Sequence, residues 1–174
     1  MLSEKLYDAL NKQIGEEFYS SNLYLAMSSW FDKEGLNNCA QFMLRHFQEE
    51  QVHMLKFVNY INEMDGHAII PALPQPPKDF ESAISIFKDA FEHEKYISKT
   101  IHDLVKLSSE ENNYRTLNFL QWFVEEQREE ETTFQKILDK IKLIGDGTSS
   151  LYFIEQEIEK ISNMTHAASG AATE

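Results

Sequence analysis

At 174 residues with 42% hydrophobic side chains, the chain suits one domain with a substantial core. Six glycines and four prolines leave little room for a strand-and-turn protein, and plentiful Leu, Glu, Lys, Gln and Ala favour helix. Sixteen basic against 29 acidic residues give a formal charge of −13, which argues against a nucleic-acid partner and suits a surface that attracts cations.

Apolar residues recur at 3–4 spacing over nearly the whole length. The first predicted helix runs from Ser3, its cap, to Lys33 and ends near Gly35. A second covers residues 37–64, where Asp65-Gly66 supplies a C-terminal glycine. All four prolines, Pro71, Pro74, Pro76 and Pro77, fall within residues 66–80, which read as an extended connector. A third helix is expected over 81–107 and a fourth over 112–144, stopping at Gly145-Asp146-Gly147; a shorter fifth covers 149–162. Residues 1–164 form the domain, and the small, polar tail 165–174 is expected to be disordered.

Each of the four long helices would span about 40 Å at 1.5 Å per residue. Short links make neighbours antiparallel, whereas the long connector could stretch roughly 50 Å and cross the whole bundle. The second and third helices are then parallel. The expected fold class is all-α: a four-helix bundle with one long crossover connection plus a short fifth C-terminal helix. No apolar run approaches membrane-spanning length, and the first residues hold no apolar leader. The single cysteine, Cys39, lies in an apolar stripe and reads as packed core. A cytoplasmic protein without membrane contact is expected.

The apolar stripes are interrupted at one height. The first helix reads Leu6, Leu10, Ile14, Glu17, Tyr24, Met27, Phe31, and the second Leu36, Cys39, Met43, His46, Glu50, His53, Phe57, Tyr60, Met64. The third reads Ile84, Phe87, Phe91, Glu94, Ile97, Ile101, Val105, and the fourth Leu120, Phe123, Gln127, Glu130, Phe134, Ile137, Ile141, Ile144. Each stripe faces the interior, and each carries a glutamate near the middle of its helix. Glu17, Glu50, Glu94 and Glu130 therefore converge, with His53 one turn from Glu50. Unpaired buried carboxylates cost several kcal/mol each. Two divalent cations would cancel their four charges; the alternative is solvation by local helix bends. Zinc prefers thiolates and imidazoles, and calcium prefers flexible loop oxygens. A carboxylate-rich, histidine-poor layer suits iron or manganese, and anionic oxygens that stabilise Fe(III) favour iron.

These residues resemble the ferritin-like di-iron proteins, and among them the bacterial non-haem ferritins. The likeness rests on residues 16–24 (EEFYSSNLY), 46–53 (HFQEEQVH), His93-Glu94, 118–131 (NFLQWFVEEQREEE) and 151–154 (LYFI). It implies iron storage with ferroxidase activity: Fe(II) is oxidised by oxygen or hydrogen peroxide, and ferric oxyhydroxide is deposited inside a hollow homo-oligomer of 24 subunits. By position, Glu17 and His53 would hold the first iron, Glu50 would bridge, and Glu94 and Glu130 would hold the second, with Gln127 beside the first. A third iron site would be formed by Glu49, Glu126 and Glu129 with help from Glu130; the alternative is a solvated acidic face. The resemblance gives Tyr24 a hydrogen bond towards the site and a part in electron donation, set against a plain core tyrosine. Trp122 and His46 read as packing and support, and His67, His93, His102 and His166 as loop or surface residues. The fifth helix, with its stripe Leu151, Ile154, Ile158, Ile161, would line fourfold axes, and Ile69, Ile70 and Leu73 a twofold contact.

Two departures carry information. Bacterioferritins bind haem through a methionine where this chain has Gln51, so no haem is expected. They also carry a second Glu-x-x-His on the fourth helix, where this chain has Gln127 and Glu130. The second iron then lacks an imidazole and is held less tightly. Gln127→Glu combined with Glu130→His should make iron stay at the centre, as read by metal retained after gel filtration; release as fast as in the parent contradicts this.

Overall fold

The structure, a computed structural model, describes residues 2–145, 147 and 149–170. It contains five helices among these: α1 (Glu4–Lys33), α2 (Asn37–Glu63), α3 (Ala83–Glu110), α4 (Tyr114–Ile144) and α5 (Ser150–Gly170). The expected bounds hold to within three residues except for α5, which continues past Ser162 to Gly170. Of the tail expected to be disordered, residues 171–174 lie outside the described residues.

Local chemistry sets the ends. The Ser3 side chain accepts from Leu6 N–H, Asn113 accepts from Thr116 N–H, and Ser82 and Ser85 cap each other reciprocally. Such caps contribute about 1 kcal/mol each. Helix α1 closes with Leu36 N–H on Phe31 O at 2.9 Å, passing through Gly35 at φ 76°. The end of α2 corrects the sequence reading. Its left-handed residue is Asp65 (φ 63°), and Gly66 N–H returns to Ile61 O at 2.9 Å. Gly66 is needed for closeness instead: a Cβ there would meet Ile61 Cγ2 at 2.9 Å and Ile61 O at 3.0 Å.

The connector is a strap along α1. Tyr7 donates to His67 O, Asn11 accepts from Ile69 N–H, Pro71 packs at Gly15, and Trp30 donates to Asp79. The connector thus meets three successive turns at the start of α1 and reaches the helix again near its end. Ring contacts fix the remaining directions. Phe31 meets Phe87 and Tyr24 meets His93, so α1 and α3 are antiparallel. His46 pairs with Glu130 and Tyr60 with Thr116, so α2 and α4 are antiparallel. With α1 and α2 forming a hairpin, α2 and α3 run parallel, as the crossover requires.

Two apolar clusters fill the interior. One joins Met27, Phe31, Met43, Phe87, Phe134 and, from α5, Ile154 and Ile158. The other joins Leu10, Ile14, Phe57, Ile97, Ile101, Leu120 and Phe123. Each fully buried side chain of this size contributes about 1.5–3 kcal/mol. Leu151 does not belong to the buried face of α5 as its stripe suggested; it is exposed with Tyr152 and Phe153. Among the described residues no helix is long and apolar enough to cross a membrane.

Gly66→Ala should lower stability by about 1–3 kcal/mol, because neither neighbour at Ile61 can give way freely. Gly147→Ala, with nothing described within 4 Å, should stay within about 0.5 kcal/mol of the parent. Chemical unfolding of both variants checks the pair; equal losses would mean the Ile61 contact is not the cause.

Candidate metal centre

Between the two apolar clusters lies a polar layer contributed by all four long helices. Glu17, Glu50, His53, Glu94, Gln127 and Glu130 are all buried, and Glu94 has no accessible surface at all. The helical repeat alone explains their position, since each replaces an apolar residue at its place in the stripe.

Glu17, Glu50 and His53 offer ligand atoms that all lie within 4.8 Å of one another, a group able to hold a metal ion. His53 Nδ1 lies 3.1 Å from Glu50 Oε2. Gln13 donates to Glu17 Oε1 at 2.9 Å, while the buried Glu17 Oε2 has no hydrogen-bond partner among the described residues. A buried carboxylate oxygen without a donor is one that a cation would satisfy.

The other glutamates point to protein partners. Tyr24 donates to Glu94 Oε1, and Gln127 Nε2 donates to Glu94 Oε2 at 2.9 Å and to Glu94 O at 3.2 Å. The Gln127 amide, expected beside the first iron, thus holds Glu94, a residue assigned to the second. Tyr24 makes the bond towards the site that the resemblance implied. Glu130 Oε2 pairs with His46 Nε2 at 3.2 Å, and these two with Glu49 form a second group able to hold a cation. His46 is therefore support for Glu130 as well as a candidate ligand.

The three acids of the implied third site are spread out. Glu126 approaches His53 Nε2 at 3.8 Å, Glu129 is exposed and paired with Arg128 at 3.6 Å, and Glu49 turns towards His46. Partial burial raises the Glu126 pKa; His53 opposes this, and Glu130, Glu129 and Glu49 add smaller upward effects. Trp122 is 40% exposed, at a steep angle to the His53 ring with centroids 5.3 Å apart, and Lys56 Nζ lies 4.1 Å from its ring centre. His93 is not the surface residue expected from sequence. It bonds Ser20 Oγ at 2.7 Å among Tyr19, Tyr24 and Tyr96, and burial pushes its pKa down to about 4. Its place one residue before Glu94 was the only hint in the sequence.

Burial and mutual repulsion move these groups away from their ordinary range. Burial, then Glu94 and Glu130, push Glu50 well above the carboxylate range; burial and Glu50 do the same to Glu17. Burial and Glu130 raise Glu94 to about 7, against the lowering effect of Tyr24 and Gln127. Burial opposes charge on His46, yet Glu130 outweighs it and lifts the imidazole to about 10. Glu130 is correspondingly lowered by His46 despite burial.

This fold and layer define a carboxylate-rich helical bundle built to take metal ions. The chain belongs to the ferritin family: the family model described as a ferritin-like domain matches residues 7–144. It is 43% identical over 161 residues to a bacterial non-heme ferritin of Campylobacter jejuni, covering 92% of this chain and 96% of the relative. It is also 43% identical over 162 residues to a probable bacterial non-heme ferritin-like protein of Haemophilus influenzae, covering 93% and 98%. Among solved structures, the open-pore ferritin of the archaeon Archaeoglobus fulgidus superposes with a TM-score of 0.88 at 39% identity, covering 91% of this chain and 98% of that one. Iron storage is the function that goes with this membership.

The raised carboxylates give the metal-free protein a signed pH dependence. Glu94, at about 7 when folded against an ordinary 4.5, binds its proton more tightly in the folded state, as do Glu17 and Glu50. That contribution is present at low pH and is lost as pH rises through the folded values. His46 acts in the same direction, whereas Glu130 acts in the opposite one, as does His93, whose low value makes stability rise until about pH 6.5. The thermal midpoint of metal-free protein should therefore fall from about pH 6.5 to about pH 8, and added divalent metal at the upper end should restore it. A midpoint that rises across this window would show the layer to be hydrated.

Proposed function

We propose that this chain is a ferroxidase: it oxidises Fe(II) at a buried two-iron centre and passes Fe(III) to a mineral inside a closed homo-oligomeric shell. The observation that carries the reading is the Glu17–Glu50–His53 group with its unpartnered Glu17 oxygen, sealed between two apolar clusters. Glu17 and His53 hold the first ferrous ion, and Glu50 is shared with the second. Glu94 and Glu130 turn from Tyr24, Gln127 and His46 to complete the second position. Gln127 acts by orienting Glu94, and Tyr24 holds the other oxygen of the same carboxylate.

Two ferrous ions release two electrons. Dioxygen with two protons then gives hydrogen peroxide, or hydrogen peroxide with two protons gives two waters. Carboxylate oxygens favour the more highly charged ferric product, which drives the step. Glu49, Glu126 and Glu129, on the faces of α2 and α4 next to the centre, form a third iron position through which the product leaves. Release of Arg128 from Glu129 is part of filling it. The half-buried Glu126, already drawn to His53, is the first stop on that route.

The assembly reading is a shell of 24 copies in the cytoplasm, without haem, nucleic acid or membrane. It is supported by the exposed Leu151, Tyr152 and Phe153 on α5 and by the exposed Ile69 and Ile70 on the strap. Glu50→Ala should reduce rapid ferric absorbance after aerobic addition of Fe(II) to the background rate while the particle elutes unchanged. Oxidation at the parental rate in this variant contradicts the two-iron centre.

A further inference from the structure

Helix α2 begins without a cap of its own. Its N-cap residue is Leu36, whose side chain makes no cap hydrogen bond, although α1, α3 and α4 all carry Ser or Asn there. The missing acceptor comes from another helix. Glu155 of α5 takes Asn38 N–H on Oε2 and Cys39 N–H on Oε1, both at 2.9 Å, and Asn38 Nδ2 donates to the Glu155 carbonyl at 3.3 Å. Both carboxylate oxygens are thereby used on the positive end of a 27-residue helix. Around this contact, Ile154 and Ile158 are buried against the bundle, and Glu157 meets Lys140 at 3.5 Å. Cys39 lies beneath, with no accessible surface.

We propose that Glu155 is a latch: its carboxylate seats α5 on the mouth of α2, and seating α5 both seals Cys39 and presents the surface that other copies of the chain meet. The second half rests on the shell reading above. The apolar face of α5 that remains outside, Leu151, Tyr152 and Phe153, is fixed in direction only while the inner face is docked. An isoleucine stripe can slide or rotate on an oily groove. A carboxylate bonded to two backbone N–H groups sets one rotation and one register. Glu155 is in this sense a positioning residue for assembly, remote from the iron chemistry. Its neighbour Cys39 is a built-in reporter, since the chain has no other thiol.

Iodoacetamide alkylation of Cys39, read by intact mass on the native full-length protein, tests the latch directly. Glu155→Ala should alkylate about tenfold faster than the parent or more, because opening of α5 exposes the sulfur. Glu155→Gln, which keeps one acceptor oxygen but loses the charge, should fall between. The fraction of large particle in sedimentation should decrease in the same order, with Fe(II) oxidation per chain retained. Equal alkylation rates in all three proteins overturn the latch. Should the alanine variant fail to fold, as circular dichroism would show, the comparison of Gln with parent decides the question. A parent that sediments as a monomer or dimer overturns the shell reading alone, and the alkylation order still judges the latch.

Discussion

Charge gathered in a dry layer is the constraint around which this molecule is arranged. Four carboxylates from four helices occupy positions that would otherwise be apolar, and without a cation each must take up a proton or find a donor. The structure shows both responses. Glu94 is held by Tyr24 and Gln127, Glu130 by protonated His46, and the pKa values of Glu17, Glu50 and Glu94 move upward. The same oxygens are those that the proposed iron centre would use, so binding metal there would exchange one set of charge-neutralising contacts for another.

Asymmetry follows from the residue types. On α2 the stripe offers Glu50 with His53, a carboxylate and an imidazole one turn apart, and these come together with Glu17. On α4 the matching places are Gln127 and Glu130, and neither joins that group. An amide cannot replace a carboxylate in charge, so Gln127 bonds Glu94 instead. The two groups able to hold a cation therefore differ: one joins two carboxylates and an imidazole of α1 and α2, and the other sets His46 and Glu49 against Glu130.

The sequence carried the bundle and the acidic layer because both are written in the helical period. Every stripe residue from Leu6 to Phe31 on α1, and from Leu120 to Ile141 on α4, is buried as its spacing requires. What spacing could not supply was anything decided by a partner on another helix. The bond from Gln127 to Glu94 could not be read because its amide direction depends on a residue 33 positions away. His93 looked like surface because its cover comes from Tyr19 and Ser20 on α1. The cap of α2 was invisible because it arrives from α5, more than a hundred residues later. At the end of α2 the glycine rule pointed one residue too far, since an aspartate took the left-handed conformation and Gly66 was required for its lack of a side chain.

The division of the interior into two oily halves, one on each side of the acidic layer, has a mechanical corollary. Either half knits together helices from both hairpins, so the scaffold is cross-braced above and below the place where cargo comes and goes. On the proposed function, filling and emptying would touch only the bracing's middle storey. The walls of such a container would not have to fold afresh at each cycle.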